Sequence, residues 1–208
     1  MGLTASDLGG GDFTPIPQGM HQAICTGIYD LGTQFNEHFG KRQHKVLFCW
    51  ELPFVRGEFE RDGKMMDLPR AISKEYTLSL NDKANLRKEL ETWRGKTFTL
   101  EELKGFDIER VLGISCTLQI LHRTKNEKTY ANIVAIMPVG DPSQVSAPEN
   151  PLRFFSFEDN DPIPDGAPSW ITEKIQNAEE NKPINQGKPS PGGEFDEHPP
   201  WEDEEIPF

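Results

Sequence analysis

The acidic charge and the prolines of this chain are concentrated at one end. Of its 208 residues, those from 1 to 140 carry 18 acidic and 18 basic side chains, so their net charge is zero. Residues 141–208 carry 16 acidic and 4 basic side chains, a net of −12, together with 12 of the 17 prolines. Such a segment buries too little apolar area to offset the entropy of ordering it, about 1–2 kcal/mol per residue. The sequence therefore predicts a folded body followed by an acidic tail.

Five segments of the body alternate apolar and polar residues with the period of two that is typical of half-buried strands. They are residues 19–31, 44–52, 71–80, 114–122 and 128–137. Between the third and the fourth, Leu86, Leu90 and Trp93 recur at helical spacing. Asn81 or Asp82 is the candidate N-cap of this helix, and Gly95 is its stop. A further short helical turn is expected after Thr99.

This order of elements matches that of an OB-fold, a five-stranded Greek-key barrel. The expected fold is therefore mainly β, an OB-fold-like barrel with one helix between strands 3 and 4, followed by a disordered acidic tail. Another kind of α+β sandwich is the alternative. Within the last third of the chain, Phe154, Phe155 and Phe157 are expected to fold back onto the body, and residues 168–180 to form a short helix.

Two segments of the predicted barrel combine cations with aromatic rings. In an OB barrel the loops after strands 1 and 4 flank the ligand, and here they are residues 32–45 and 122–128. Together they hold six of the 18 basic residues of the body and two acidic ones. Cations that contact phosphates, beside rings that stack on bases, are typical of a sequence-tolerant site for single strands. The candidate residues are Phe35, Phe39, Lys41, Arg42, Lys45, Arg123, Lys125 and Lys128.

Four residues of the predicted strands extend this set. Trp50 and Tyr76 fit either a base-stacking platform or the core, because each shares its strand face with aliphatic residues. Lys74 and Tyr130 are further candidate DNA contacts.

Motifs for catalysis and for cofactors are absent from the sequence. Gly95-Lys96-Thr97 resembles the end of a P-loop, but Leu90 stands where that motif requires a glycine. The cysteines and histidines lack zinc spacing, so we expect no metal, no cofactor and no enzymatic activity. Cys25, Cys49 and Cys116 lie in apolar runs, which predicts buried reduced thiols in a cytoplasmic protein. No apolar run is long enough to span a membrane.

The last residues of the chain combine acidic and apolar groups. Seven acidic side chains between residues 194 and 205 precede Ile206-Pro207-Phe208. Large apolar side chains do not aid solubility, whereas a terminal ring and its carboxylate can bind a pocket with a basic rim. The end of the chain is therefore a candidate protein-interaction segment.

Residues 203–208, DEEIPF, resemble the acidic tip that ends bacterial single-stranded-DNA-binding proteins and recruits replication, recombination and repair enzymes. The runs LRKELETWRGKTFTLEEL, LGISCTLQILH and KTYANIVAI are similar to phage-encoded single-strand-binding proteins. The resemblance implies a body that coats single-stranded DNA in the bacterial cytoplasm, with a possible homo-oligomer, and a tip that binds partner proteins. The implied partner-binding residues are Trp201, Asp203, Glu204, Glu205, Ile206, Pro207 and Phe208.

These features divide the chain into four predicted segments. They are a flexible arm (1–18), an OB-fold-like single-stranded-DNA-binding domain (19–140), a partly ordered extension (141–180) and a disordered acidic tail with the interaction tip (181–208). Two alternatives stay open. One is an adaptor or decoy that captures replication or repair proteins without binding DNA, and the other is a processing enzyme such as a nuclease.

Overall fold

The structure, a computed structural model, describes residues 14–36, 40–61, 63–140, 147–159 and 162–182. Single 3₁₀ turns lie at Ile108–Val111 and Glu179–Asn181. The other elements are β1 (Gly19–Asn36), β2 (Lys41–Arg61), β3 (Lys64–Thr77), α1 (Asn85–Arg94), α2 (Leu100–Lys104), β4 (Ser115–Lys125), β5 (Lys128–Met137), β6 (Arg153–Phe155) and α3 (Ser169–Gln176).

Strands β1 to β5 form an open, curled antiparallel half-barrel in the order β3-β2-β1-β4-β5. The first part of β1 pairs with β4 and the rest pairs with β2, while β6 adds to β1 as a short parallel strand. Within the described residues β3 and β5 do not pair, so the barrel is open between them. The predicted order of three strands, a helix and two strands is confirmed, and the fold is mainly β.

Several strands are longer than the sequence pattern predicts. β1 continues to Asn36 and β2 begins at Lys41, so much of the predicted loop between them is a paired hairpin. β2 and β3 also continue past the half-barrel as a two-stranded arm, residues 56–69. Apolar alternation marks only strands with one buried face, and these extensions are polar or mixed on both faces. Backbone pairing alone therefore places them in strands.

The inward face of the half-barrel holds the main core. Trp50 stacks on Phe48 with ring centroids 5.8 Å apart and lies 6.1 Å from the ring of Trp93 on α1. Ile28, Leu118 and other aliphatic side chains complete this cluster. Each of these aromatic side chains buries a large apolar area, so α1 and the strands stabilise one another.

Helix α1 ends as predicted and begins differently. Gly95 adopts a left-handed conformation with φ of 67° and ends the helix, which only glycine does without steric cost. The N-cap is Ala84, which makes no side-chain cap hydrogen bond, so the prediction of Asn81 or Asp82 is wrong. Asn81 instead accepts a hydrogen bond from the Lys83 N–H, in a turn before the helix. The helical turn after Thr99 is confirmed as α2, with Thr99 and Glu102 forming a capping box.

Side chains bridge the gap between β3 and β5. Lys74 Nζ on β3 donates to Glu89 Oε1 on α1 at 2.5 Å and to the Ile133 carbonyl on β5 at 3.1 Å. Tyr76 donates its hydroxyl proton to the same Glu89 carboxylate. In a closed barrel, the N–H of a paired strand donates to such a carbonyl. Here the Lys74 ammonium group donates to the Ile133 carbonyl instead.

The segment from 147 to 182 covers the outward face of β1 and β2. Phe155, Ile171 and Ile175 are buried there in a second apolar cluster, against Tyr29 and Leu47 among others. The predicted return of the phenylalanines onto the body and the predicted short helix are confirmed, the latter as α3. Around Tyr29 and Leu47, the outward face of β1 and β2 is therefore a packing surface and not a solvated one.

A buried carboxylate holds the start of this segment. Glu51, on the outward face of β2, has no solvent exposure. It accepts hydrogen bonds from the Glu149 N–H at 2.9 Å, the Asn150 N–H at 2.8 Å and Asn150 Nδ2 at 2.6 Å. A buried charge is tolerated where several donors surround it. Next to it, Arg56 donates to the Glu149 carboxylate, which lowers the pKa of Glu149.

The three cysteines are unpaired thiols, as predicted. Burial raises the pKa of Cys49 to about 12 and raises the pKa values of Cys25 and Cys116 well above the ordinary value. All three therefore stay protonated at neutral pH, which makes them poor nucleophiles.

Glu51 provides a direct test of how the 147–182 segment is held. In Glu51→Gln, an N–H₂ group replaces one of the two carboxylate oxygens and faces a donor that bonds to that oxygen in the wild type. This buried donor is left without an acceptor. We expect a loss of about 1–3 kcal/mol in the free energy of unfolding, measured by urea denaturation, and faster proteolysis near residue 150. Glu101→Gln, on an exposed position of α2, is the control and should leave both unchanged. Equal stability of the two variants would contradict this role of Glu51.

Candidate nucleic-acid interface

The β4–β5 hairpin brings four of the predicted DNA-binding residues onto one face. Arg123 lies directly opposite Tyr130, and Lys125 lies directly opposite Lys128. Residues two apart on a strand share a face, so these four side chains form two adjacent cross-strand pairs. All four are exposed, and the ring of Tyr130 is 48% accessible. Side chains that the sequence analysis assigned to the loop at residues 122–128 and to the strand after it thus lie together on one surface.

A tight turn fixes this arrangement. Asn126 and Glu127 join the strands with φ values of 50° and 62°, the two left-handed residues of a two-residue hairpin turn. Such turns match the twist of the strands and keep their last residues in register. Lys125 and Lys128 are therefore held opposite each other up to the tip.

The electrostatics of this face favour an anion. β4, β5 and the first six residues of β1 contain no aspartate or glutamate. Among the residues that the structure describes, no ion pair joins an acid to Arg123, Lys125 or Lys128. Like charges directly opposite each other destabilise a strand pair, and a bound phosphate relieves that repulsion. The face is thus chemically suited to a polyanion.

Apolar and amide side chains complete the same face. By alternation and register, Gln119, Leu121, Asn132 and Val134 of the hairpin and Met20 of β1 point outward with the four residues above. Met20, Leu121 and Val134 are about half exposed. We call this outward surface of β1, β4 and β5 the basic face. It offers apolar area for bases beside cations for phosphates.

The β1–β2 hairpin lies at the other end of β1. β4 pairs with β1 at Gly19, where β1 begins, whereas Asn36 and Lys41 flank the β1–β2 turn. At about 3.3 Å per residue, the path along β1 between these ends is roughly 55 Å. The two segments predicted to flank one ligand are therefore not neighbours along this strand.

The residues of the β1–β2 hairpin differ in availability. Phe35 is 53% exposed, with the Arg42 guanidinium 6.0 Å from its ring centre, and Lys41 is exposed. Lys45 donates to the Thr77 hydroxyl at 3.0 Å. Phe39 lies outside the described residues.

Acidic residues of the 147–182 segment bind this hairpin. Arg42 Nε lies 2.6 Å from Glu179 Oε1. The Glu180 carboxylate accepts from the Thr33 N–H at 2.8 and 3.0 Å and from the Thr33 hydroxyl at 2.7 Å. Partial burial raises the pKa of Glu180, but these hydrogen bonds lower it more, and the net shift is downward. The 3₁₀ turn at Glu179–Asn181 thus occupies polar groups that a phosphate would otherwise contact.

Three strand residues in the predicted set point into the half-barrel and not to the outward surface. Trp50 has no exposed surface and Tyr76 has 5%, so neither ring offers a face to a base. Burial, and then the neighbouring Glu89, raise the pKa of Tyr76 far above its ordinary value. Lys74 donates its hydrogen bonds to Glu89 and to the Ile133 carbonyl. All three lie at inward positions, where large side chains fill the half-barrel.

Other predicted features are not located by the structure. The partner-binding residues Trp201, Asp203, Glu204, Glu205, Ile206, Pro207 and Phe208 lie outside the described residues. In the described part of the chain, no three of its histidine, cysteine and acidic side chains are grouped closely enough to hold a metal ion. No helix there is both long and apolar enough to cross a membrane.

Comparison with known proteins gave no match, whether against family models, curated protein sequences or solved structures.

Two surfaces were missed by the sequence analysis. The basic face extends beyond the hairpin tip to Met20, Gln119 and Asn132, and the signal for it was the absence of acids at every position of β4 and β5. The β2–β3 arm exposes Phe59 and Met66. Its signal, GEFERDGKMMDL, was a glycine-centred turn between two alternating runs.

The contact between Glu180 and Thr33 should depend on pH. Because the folded-state pKa of Glu180 is lowered, its carboxylate stabilises the contact above the unfolded-state pKa, and that contribution is lost as pH falls through the folded-state value. Glu180→Ala should make residues 169–182 more sensitive to protease at neutral pH, with little further change on acidification. Glu173→Ala, an exposed change on α3, is the control. A cleavage rate in Glu180→Ala equal to that of the control would contradict the assignment.

Proposed function

We propose that this protein binds single-stranded DNA on the basic face of β1, β4 and β5, without catalysing a reaction. The observation that carries the proposal is the pairing of Arg123 with Tyr130 and of Lys125 with Lys128 on an exposed surface, to which β4, β5 and the first six residues of β1 contribute no acid. Cations follow the phosphates there, while Tyr130 and the half-exposed apolar side chains receive unstacked bases. Stacking surfaces and cations contact any base and any phosphate alike, so we propose sequence-tolerant binding.

The strand order supports an OB-type body. An OB barrel opened between its third and fifth strands has the order β3-β2-β1-β4-β5, with a helix between the third and fourth strands. The gap is spanned here by α1 and Lys74. We propose that the fold is a partly open OB barrel.

The proposed position of the DNA strand on this protein differs from the position that is usual for OB folds. OB folds bind oligonucleotides across strands 2 and 3, but here Phe155, Ile171 and Ile175 cover the outward face of β2, and Glu51 fixes the covering segment. The hairpin at the far end of β1 has its Arg42 paired with Glu179. Arg123, Lys125 and Lys128 of the basic face have no such ion pair with the acids of residues 14–36, 40–61, 63–140, 147–159 and 162–182.

The second part of the proposal concerns the acidic residues 194–208. We propose that residues 194–208 recruit replication, recombination or repair proteins, with the Phe208 ring filling an apolar pocket and the acidic side chains contacting its basic rim. This rests on the composition of that segment and on its resemblance to the bacterial tip. An adaptor or decoy would retain this activity without DNA binding, so a titration of the full chain with oligo-dT separates the two functions.

The salt dependence of binding tests the role of the cations. Binding releases about 0.7 counterions per phosphate neutralised on a single strand. The triple change of Arg123, Lys125 and Lys128 to alanine should therefore reduce the slope of log K against log salt by about 2. Fluorescence anisotropy of labelled oligo-dT measures it.

The matched control is the triple change of Lys83, Lys88 and Lys96 to alanine, which removes the same charge from exposed positions on and beside α1. Arg42→Ala is a second control and should also retain the wild-type slope. An equal loss in the control triple would mean that overall charge, and not the basic face, drives binding. If the wild type leaves oligo-dT anisotropy unchanged at low salt, the DNA-binding proposal fails and the adaptor function replaces it.

Tyr130 tests base stacking separately from charge. Tyr130→Ala should weaken oligo-dT binding by about 1–3 kcal/mol, the value of one base stacked on an aromatic ring, with the salt slope unchanged. Tyr130→Phe retains the ring and should bind like the wild type. Equal weakening in both variants would assign Tyr130 a hydroxyl contact instead of a stacking role.

A further inference from the structure

We propose that the β2–β3 arm is a self-association surface, on which the acidic face of one copy stacks against the basic, apolar face of the next. The arm, residues 56–69, lies past the pairing of β1 with β2, which ends at Glu51. In the described residues no third strand pairs with it. A two-stranded hairpin alone is marginally stable in water, and unpaired strand edges are available to another chain.

One face of the arm is apolar and basic. Phe59 lies directly opposite Met66, and Gly57 lies opposite Leu68, so these four share a face with Lys64. The Phe59 ring packs over Gly57, where a Cβ would lie 3.1 Å from the ring. Phe59 and Met66 are nevertheless 43% and 42% exposed. Among the described side chains of residues 56–69 this face has a charge of +1, from Lys64, and Arg70 lies beside it, with its Cγ 3.6 Å from where a Cβ on Gly57 would be.

The opposite face is acidic around an apolar centre. Glu58 lies opposite Asp67, and Glu60 lies opposite Met65, which is 64% exposed. Arg56, on the same face, donates to Asp67 at 2.7 Å. With three acids and one arginine the face has a net charge of −2.

The two faces are complementary to each other. Each has exposed apolar side chains, Phe59 and Met66 on one and Met65 on the other, beside charges of opposite sign. The two faces lie on opposite sides of one two-stranded ribbon, so they cannot contact each other within one copy. When two copies stack in the same orientation, the acidic face of one contacts the basic, apolar face of the other. Such a head-to-tail contact is heterologous and repeats from copy to copy unless it closes into a ring. The proposal is independent of DNA binding.

A charge exchange tests this contact on the full chain without DNA. Wild-type protein should show a sedimentation coefficient that rises with concentration at low salt and less so at high salt. Lys64→Glu and the pair Glu58→Lys with Glu60→Lys should each abolish the rise. The variant that combines all three changes inverts both faces at once and should associate again. Lys83→Glu, an exposed change before α1, should behave like the wild type.

Three results would overturn the proposal. The first is a wild-type sedimentation coefficient independent of concentration at low salt. The second is a combined variant that stays monomeric, although circular dichroism shows it folded. The third is loss of association on removal of residues 183–208, which would place that acidic segment, and not the arm of another copy, on the basic side of the arm.

Discussion

Burial of both faces of β1 and β2 around Tyr29 and Leu47, where the two strands pair, is the constraint on which the rest of this structure depends. Phe48 and Trp50 point into the half-barrel, and Leu47, the outward residue between Val46 and Phe48, packs against Phe155 and Ile171. Strands buried on both sides need a covering layer, and the 147–182 segment provides it. That segment is therefore part of the folded unit, although it belongs to the acidic, proline-rich third of the chain. Its burial also decides which surfaces are left for a ligand.

The surfaces that remain exposed have different electrostatic characters. The outward side of β4 and β5 carries no acids, and its cations have no ion pair with any acid in the part of the chain that the structure describes. The β1–β2 hairpin has its arginine and threonine bound by Glu179 and Glu180. The β2–β3 arm has charges of opposite sign on its two faces. These differences assign the proposed DNA contact to the first surface and the proposed contact between copies to the third.

Side-chain bonds replace strand pairing where the barrel is open. Lys74 reaches from β3 to a β5 carbonyl, and Glu89 of α1 holds both Lys74 and Tyr76. A partly exposed network of this kind has enough hydrogen bonds to satisfy its charges, which a single buried ion pair lacks. A helix thus connects β3 to β5 where no strand pairing joins them in the described residues, and Lys74 and Tyr76 form the connection.

The sequence by itself determined the order of elements, the glycine stop of α1, the unpaired thiols and the cations beside the β4–β5 turn, because each depends on neighbours within a few residues. Only the tertiary structure decided that Trp50 and Tyr76 are buried, that the two cationic hairpins lie at opposite ends of β1, and that acids from residues 179 and 180 bind one of them. Alternation shows that a strand has two different faces but not what covers each face. That depends on contacts between residues more than a hundred positions apart, such as Thr33 and Glu180, which no local pattern encodes.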